Sequence, residues 1–142
     1  MIARLTASFL ILSAAGCGEL PRDTAGTSER VRAGTMRVGE VGGAEHSRLE
    51  ALLARLAEQT GPQVSIASGA AEPLLMRLEA GELDLIVGEF DQKTPWSKRV
   101  TFSKPLASTK GRHGTEEVKA ATRNGEHRWA MEVDRAVARS KQ

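Results

Sequence analysis

The 142-residue chain has few aromatic residues and little net charge. It contains three Phe, two Trp and no Tyr, and its formal net charge at pH 7 is +2. Proteins that bind nucleic acid depend on basic surfaces and on aromatic rings that stack on bases. The composition therefore argues against a nucleic-acid partner. The hydrophobic and charged fractions, 40% and 27%, are those of an ordinary globular chain.

The chain also has a single cysteine, Cys17, so no disulfide can form within it. Ahead of Cys17 stand one arginine, an apolar run over 5–12 and four small residues. The run is too short to span a bilayer, and the pattern is typical of an export signal. Small residues directly before a cysteine resemble a bacterial lipobox. We therefore predict a lipoprotein-type signal peptide over 1–16 and lipidation of Cys17; the alternative is an ordinary cleaved signal in which Cys17 has no role.

Residues 17–34 are polar, rich in small side chains and without apolar periodicity. This composition predicts a flexible tether that spans about 20–25 Å between a membrane and a folded domain. The domain is expected to start near Thr35. The protein is then expected on the periplasmic or cell-surface side of a membrane, anchored by its N-terminal lipid.

Beyond Thr35, short apolar runs alternate with helical patterns. Residues 35–41, 63–67 and 83–90 read as strands, and the two segments between them have apolar residues at helical spacing. The order β-α-β-α-β predicts an α/β fold with a small parallel sheet covered by helices. The nearly continuous apolar run of the third strand indicates that both of its faces are buried.

Parallel sheets bind ligands at the carboxyl ends of their strands. Glycines there let a ligand approach the backbone, although turn chemistry explains them equally well. The acids after the third strand either contact a cationic group or are simply solvated. The candidate ligand-binding residues at these ends are Glu40, Gly42, Gly43, Ser68, Gly69, Gly88, Glu89 and Asp91.

The stretch LMRLEAGELDLIVGEFDQKTPWSKRVTFSKPL resembles the first lobe of bacterial extracellular solute-binding proteins, family 3, the periplasmic receptors of ABC importers. The matching features include the turn at Gly81, Thr94 in the following loop, and Phe102-Ser103-x-Pro105. The resemblance covers 35–107 and implies one lobe of a type II periplasmic-binding-protein-like fold. It implies a small-molecule solute, an amino acid or an amine, and an ABC-importer permease or another envelope protein as partner. No cofactor or metal is implied.

The loop that follows Thr94 departs from the family pattern. Amino-acid receptors of this family place an arginine shortly after the threonine, where it pairs with the ligand carboxylate. Here Trp96 stands near that place and Arg99 is displaced. We expect Thr94 and Trp96 to contact the solute, with capping of the core as the alternative for Trp96, and Arg99 to be a surface charge. The departure weakens the case for an amino-acid ligand.

In the family, a hinge leads from the first lobe into a second one, and the stretch after 107 does not follow this pattern. Residues 108–114 read as a polar linker in its place, and 115–142 as two C-terminal helices broken at Asn124-Gly125. The second of these resembles the family's C-terminal helix, with Trp129 as a core anchor rather than a ligand contact. The simplest interpretation is a single-lobe relative.

An enzymatic function is not predicted. The three histidines lack metal-ligand spacing and are expected to be solvated, and no nucleophile motif is present. The leading prediction is a membrane-tethered solute-binding lipoprotein that binds a small solute weakly or presents it to a transporter. The alternatives are a protein-interaction module that has lost solute binding, and a non-functional gene fragment.

Overall fold

The structure is a computed structural model that describes residues 21–42, 46–111 and 114–141. Four α-helices, six strands and a short 3₁₀ helix (Pro95–Lys98) form within these ranges. Their order is α1 (Thr27–Ala33), β1 (Thr35–Val41), α2 (His46–Thr60), β2 (Gln63–Gly69), α3 (Ala71–Glu79), β3 (Leu85–Asp91), β4 (Val100–Phe102), β5 (Ala107–Gly111), β6 (Gly114–Arg123) and α4 (His127–Ser140).

The six strands form one mixed sheet. Strands β2, β1 and β3 lie side by side and run parallel. Strand β6 is antiparallel to β3 on one side, and on its other side it pairs with both β4 and β5. The predicted α/β class and the parallel arrangement of the first three strands are confirmed. The sheet is larger than predicted because the C-terminal half of the chain adds three strands to it.

Strand β6 lies where the sequence predicted the first of two C-terminal helices, so that prediction is wrong. Its local sequence is rich in Glu, Lys and Ala, which favour helices. In the fold, however, Ala120 faces one side of the sheet and Ala121 the other, and both are fully buried. The burial of these alanines in a strand flanked by two others outweighs the helix propensity of the local sequence. The polar linker predicted over 108–114 also differs from the structure. Residues Ala107–Gly111 form strand β5, which pairs with β6.

The tether predicted over 17–34 also differs from the structure, because its described part contains helix α1. Only Val31 of this helix is a buried apolar residue. The helix is held instead by a buried carboxylate: Glu126 accepts hydrogen bonds from the backbone N–H groups of Ala25 (2.7 Å) and Thr27 (2.9 Å). Negative charge at a helix N-terminus is favourable. No local sequence signal predicts α1, because the carboxylate that caps it, Glu126, lies about a hundred positions further along the chain.

The same region contains a reciprocal contact. Asp23 accepts hydrogen bonds from the backbone N–H of Ser28 (2.8 Å) in α1 and from that of Trp129 (2.9 Å) in α4. Burial raises the pKa of Asp23, but the hydrogen bonds from Ser28 and Trp129 outweigh this effect and hold the pKa below its usual value. The start of α1 is thus hydrogen-bonded to Glu126, which precedes α4, and the start of α4 is hydrogen-bonded to Asp23, which precedes α1.

Two apolar clusters cover the two faces of the sheet. Helices α2 and α4 pack on one face around Leu85 and Val87 of β3, and α3 packs on the other face around Ile86. The prediction that the third strand is covered on both sides is confirmed. Trp129 is a core anchor, as predicted: it is fully buried and its Nε1 donates to the backbone oxygen of Asp84 (2.7 Å).

The side chain of Asp84 is fully buried and joins α1 to β1. Its Oδ1 lies 2.7 Å from Nη1 of Arg30 and 2.8 Å from Nη2 of Arg37. Its Oδ2 accepts the backbone N–H of Arg37 at 2.8 Å. The side chains of Arg30 and Arg37 are 42% and 36% exposed, so only the carboxylate of this network is shielded from water.

We expect Asp84→Asn to lower the free energy of unfolding by about 2 kcal/mol, because charge-assisted hydrogen bonds to the buried carboxylate are lost. Chemical denaturation followed by circular dichroism measures this change. The matched control is Glu79→Gln, which removes the more exposed pair with Arg99 and should cost less than about 1 kcal/mol. Equal losses in the two variants would show that Asp84 has no special role.

Candidate functional site

The carboxyl ends of β1 and β2 bring Glu40 and Ser68 together. The two residues are direct partners across the parallel strands, and Ser68 Oγ donates to Glu40 Oε2 at 3.2 Å. The Glu40 side chain is only 15% exposed. This edge of the sheet therefore holds a largely buried carboxylate whose oxygens are oriented by neighbouring side chains.

The second partner of Glu40 is His46, the first residue of α2. Its Nδ1 lies 3.2 Å from Glu40 Oε1, and its Nε2 lies 3.3 Å from Glu50 Oε1. The hydrogen bond to Glu40, followed by the charge of Glu50, raises the pKa of His46 above its usual value. His46 is 64% exposed, in line with the solvated histidine that was expected. The sequence analysis did not predict its contact with Glu40. The only sequence sign was its place at a helix start, six residues after Glu40.

Glu89 and Asp91 are exposed near the end of β3, on the same face as Glu40. Glu40 is level with Val87 on the neighbouring strand, so Glu89 stands two residues further along, roughly 8 Å from Glu40 by strand geometry. Asp91 is a direct partner of Glu116 in β6. The edge thus gathers several carboxylates on one face, and this arrangement favours a cation.

The glycines at the edge differ in what surrounds them. A Cβ at Gly88 would lie 2.5 Å from Cβ of Val41, so packing alone requires glycine there. A Cβ at Gly42 would meet nothing within 4 Å, and one at Gly69 would make ordinary contacts with Leu74. The ligand roles of these three glycines stay predictions. Gly43 and Cys17 lie outside the described residues.

Trp96 packs on the opposite face of the sheet from Glu40, and Thr94 lies in the loop just before it. Oγ1 of Thr94 accepts the backbone N–H of Trp96 (3.4 Å) and so caps the 3₁₀ helix. Trp96 is half-buried against the α3-side cluster, which favours the interpretation that it caps the core. The guanidinium of Arg99 lies 4.4 Å from the ring centroid of Trp96 and is hydrogen-bonded to Glu79. Trp96 and Arg99 line a hollow of about 230 Å³ that is separate from Glu40.

Lys119 and Glu117 are neighbours of this edge that the sequence analysis did not include, because β6 was expected to be a helix. Lys119 is opposite Gly88 in the ladder between β3 and β6. Its Nζ lies 2.5 Å from Glu117 Oε2, and both side chains are largely buried. The charge of Lys119 is thus already neutralised within the protein.

Comparison with known proteins agrees with this geometry at the level of fold. No protein-family model and no curated protein matches the sequence. Solved structures do match: the arginine-bound form of domain 1 from TmArgBP, in a point-mutant form, has a TM-score of 0.67 at 17% identity, over 80% of this chain and 98% of that chain. The described chain has the fold of a single solute-binding lobe.

Two further structures extend the comparison. An amino-acid ABC transporter substrate-binding protein from Streptococcus pneumoniae, bound to L-arginine, has a TM-score of 0.68 at 10% identity, over 81% of this chain and 92% of that chain. The ancestral amino-acid-binding protein AncCDT-1, described as a precursor of cyclohexadienyl dehydratase, has a TM-score of 0.65 at 12% identity and the same two coverages. These identities establish a shared fold and no shared ligand.

The described ranges were also searched for metal sites and membrane helices. They contain no group of three or more His, Cys, Asp or Glu side chains placed to hold a metal ion. None of the helices in 21–42, 46–111 and 114–141 has the length and apolar character needed to cross a bilayer.

We expect His46 to titrate above pH 6.5. The protonated ring stabilises the fold fully below its unfolded pKa, about 6.5, and this contribution is lost as the pH rises through the raised folded pKa. An NMR titration of the ring protons measures the pKa. Glu40→Gln should lower it more than the matched variant Glu50→Gln, and an equal effect of the two would contradict the stronger contact with Glu40.

We expect Gly88→Ala to lower the free energy of unfolding by about 1–3 kcal/mol, because the added methyl group overlaps Val41. Gly42→Ala is the matched control, since its methyl group enters open space, and it should leave stability nearly unchanged. Thermal unfolding of the two variants measures the difference. If Gly88→Ala were as stable as the parent protein, the close approach to Val41 would be ruled out.

Proposed function

We propose that the protein is a membrane-tethered, periplasmic, non-enzymatic lobe that binds a small cationic amine at the carboxyl edge of its sheet. The observation that supports this most directly is the Glu40 carboxylate, which is largely buried and is oriented by Ser68 and His46. A largely buried carboxylate favours a cationic partner that can also donate hydrogen bonds. The ring of His46 now fills that role, and an ammonium or guanidinium group would take its place.

The amine is proposed without an α-carboxylate. A carboxylate ligand needs a cation that is free to pair with it. Near the edge, Arg99 is paired with Glu79 and stacked on Trp96, and Lys119 is paired with Glu117. The remaining cations there, Lys93 and Lys110, are exposed side chains without the planar fork that pairs with a carboxylate in a bidentate way. Exposed Glu89 and Asp91 add negative charge on the face of Glu40. The charge of the site is therefore better matched to a diamine or a decarboxylated amino acid than to an amino acid.

A lone lobe is proposed to bind this solute weakly. Receptors that close two lobes over a ligand exclude water from both of its sides, whereas here the edge lies open on one side. The arginine-bound form of domain 1 from TmArgBP is a precedent for ligand binding by an isolated lobe. The bound solute would then be presented to an importer permease in the same membrane.

The second candidate function is a protein-interaction module in the cell envelope. It is favoured by the way β3, β5 and β6 extend beyond the end of β1. This extension exposes Glu89 and Asp91, which a basic partner surface could contact. A non-functional fragment remains the third alternative.

The test is a titration of the mature chain with agmatine, arginine, putrescine and glutamate, followed by backbone amide NMR. We expect agmatine to bind at least as tightly as arginine, glutamate not to bind, and shifts to cluster at Glu40 and Ser68. Glu40→Gln should weaken agmatine binding about tenfold or more, because a charge-assisted hydrogen bond is lost.

The matched control is Glu58→Gln, which removes an exposed carboxylate at the other end of α2 and should leave agmatine binding unchanged. Arginine binding ten times tighter than agmatine would show that a carboxylate subsite exists after all. A spectrum that ignores every solute would favour the interaction module.

A further inference from the structure

Strand β2 is an edge strand of the sheet. Within the described ranges it pairs with β1 on one side and with no strand on the other. The backbone oxygen of Gly69 accepts the N–H of Gly42, just after β1, at 3.2 Å. Because successive residues of a strand direct their backbone groups to opposite sides, those of Val64, Ile66 and Ser68 point away from β1. The outer side of β2 therefore presents a row of unpaired backbone donors and acceptors.

This edge lacks the features that usually protect such strands. Free edges tend to pair with other strands, and proteins blunt them with charged side chains, prolines, bulges or short length. Residues 61–71 contain no charged residue, and the one proline there, Pro62, precedes the strand. All seven residues of β2 are matched one to one with β1, so the strand has no bulge. On the opposite edge of the sheet, by contrast, β4 is only three residues long and β5 contains Lys110.

The apolar side chains of β2 lie on a single face. Val64 and Ile66 are among the few large apolar residues that are exposed. Their direct partners on β1, Met36 and Val38, belong to the apolar cluster beneath α2. Val64 and Ile66 thus lie at the margin of that cluster, and an interface that covered them would extend its apolar surface, which is favourable.

We propose that β2 pairs with β2 of a second copy of this chain, antiparallel and about a two-fold axis. In the register centred on Ser65, Val64 lies opposite Ile66 of the second copy. Both residues direct their backbone groups outward, so each such pair exchanges two hydrogen bonds. The β-branched side chains form two cross-strand pairs on the α2 face. Because this pairing uses the free edge of both copies, assembly stops at a dimer.

The chemistry of the edge favours a second copy over a different strand. The edge is uncharged, so two copies meet without like charges opposite each other, which would be destabilising. A basic or an acidic peptide would find no counter-charge on residues 61–71. A second β2 has the same length, the same alternation of outward backbone groups and apolar side chains on the matching face.

Helix α2 presents a small apolar flank beside this interface. Arg48 and Gln59 of α2 line hollows together with residues of α4. By helical spacing, Leu53 and Ala57 lie on the other side of α2 and face away from α4, toward β2. The two-fold axis brings these flanks of the two copies side by side above the paired strands. Glu50, on the same flank, lies nearer the carboxyl edge, so antiparallel pairing places the two copies of Glu50 on opposite sides of the axis.

The first test is sedimentation equilibrium of the mature chain from residue 17 with Cys17→Ser, which excludes lipidation and an intermolecular disulfide. We expect the average mass to rise toward twice that of the monomer as the concentration approaches about 1 mM, since a single strand pair gives a weak dimer. Ile66→Lys should weaken the dimer at least about tenfold, because it replaces an apolar cross-strand partner with a charge in both copies. A chain that stays monomeric at every concentration overturns the proposal and would leave β2 to a strand of another protein.

The matched control is Met76→Lys, which also replaces an exposed apolar side chain with lysine. Met76 lies on α3, which packs on the other face of the sheet, so this variant should dimerise like the parent. Equal weakening by the two substitutions would show that net charge determines association and would overturn the proposal. Circular dichroism checks that Ile66→Lys is folded, as expected for a side chain that is 46% exposed.

The second test needs no substitution at the edge. Amide hydrogen exchange, followed by NMR at low and high concentration, distinguishes alternate residues of β2. The amides of Ser65 and Ala67 point toward β1 and should be protected at both concentrations. Those of Val64 and Ile66 should be protected only in the dimer. A dimer in which these two amides exchange as fast as in the monomer would overturn the pairing of the edges.

Dimerisation through β2 leaves the proposed solute site open. In the register centred on Ser65, Ser68 lies opposite Pro62 of the second copy, beyond the paired segment. Glu40 is on β1, which β2 separates from the second copy. We therefore expect Ile66→Lys to bind agmatine like the parent protein, and loss of solute binding in this folded variant would contradict the register.

Discussion

Strand β6 is the element on which the rest of the structure depends. It lies antiparallel between β3 on one side and β4 and β5 on the other, so most backbone groups of its ten residues are paired. Its alternate side chains close the two apolar clusters, with Val118 and Ala120 on one face and Ala121 on the other. Without β6 the parallel strands would expose an open, apolar edge, which is a liability in any sheet. The chain thus completes a lobe from its own C-terminal third.

The position of β6 also determines where charge collects. Because β6 runs against β3, it places Lys119 and Glu117 on the face of α3 and Glu116 beside Asp91 on the other face. On the α3 face Lys119 and Glu117 neutralise each other, whereas Glu40, Glu89, Asp91 and Glu116 share the other face. The opposite end of the same sheet carries both signs of charge, because arginines and acids of α1, α4 and the segment before α1 line the same hollows. The carboxylates near the carboxyl edge are therefore a local concentration of negative charge that a net charge of +2 conceals.

The sequence predicted the elements whose signals are local. The strands around Val38 and Val87, the amphipathic helix after His46 and the burial of Trp129 all followed from apolar spacing, and so did the meeting of Glu40 with Ser68 at one edge. The predictions that failed concern elements held by contacts between residues far apart in the sequence. Helix α1 is stabilised by Glu126, and β6 is a strand because two other strands flank it. The pairing of His46 with Glu40 depends on how α2 is rotated over the sheet, which no local pattern specifies.

The connection between β5 and β6 has an evolutionary consequence. Gly111 and Gly114 are direct partners across the ladder, so the end of β5 and the start of β6 lie about 5 Å apart. A polypeptide whose ends lie equally close fits between the two strands without moving either of them. Exposed loop tips are the sites where domain insertions are commonly tolerated. An in-frame insertion of a folded unit at this point would therefore leave the core of the described lobe in place.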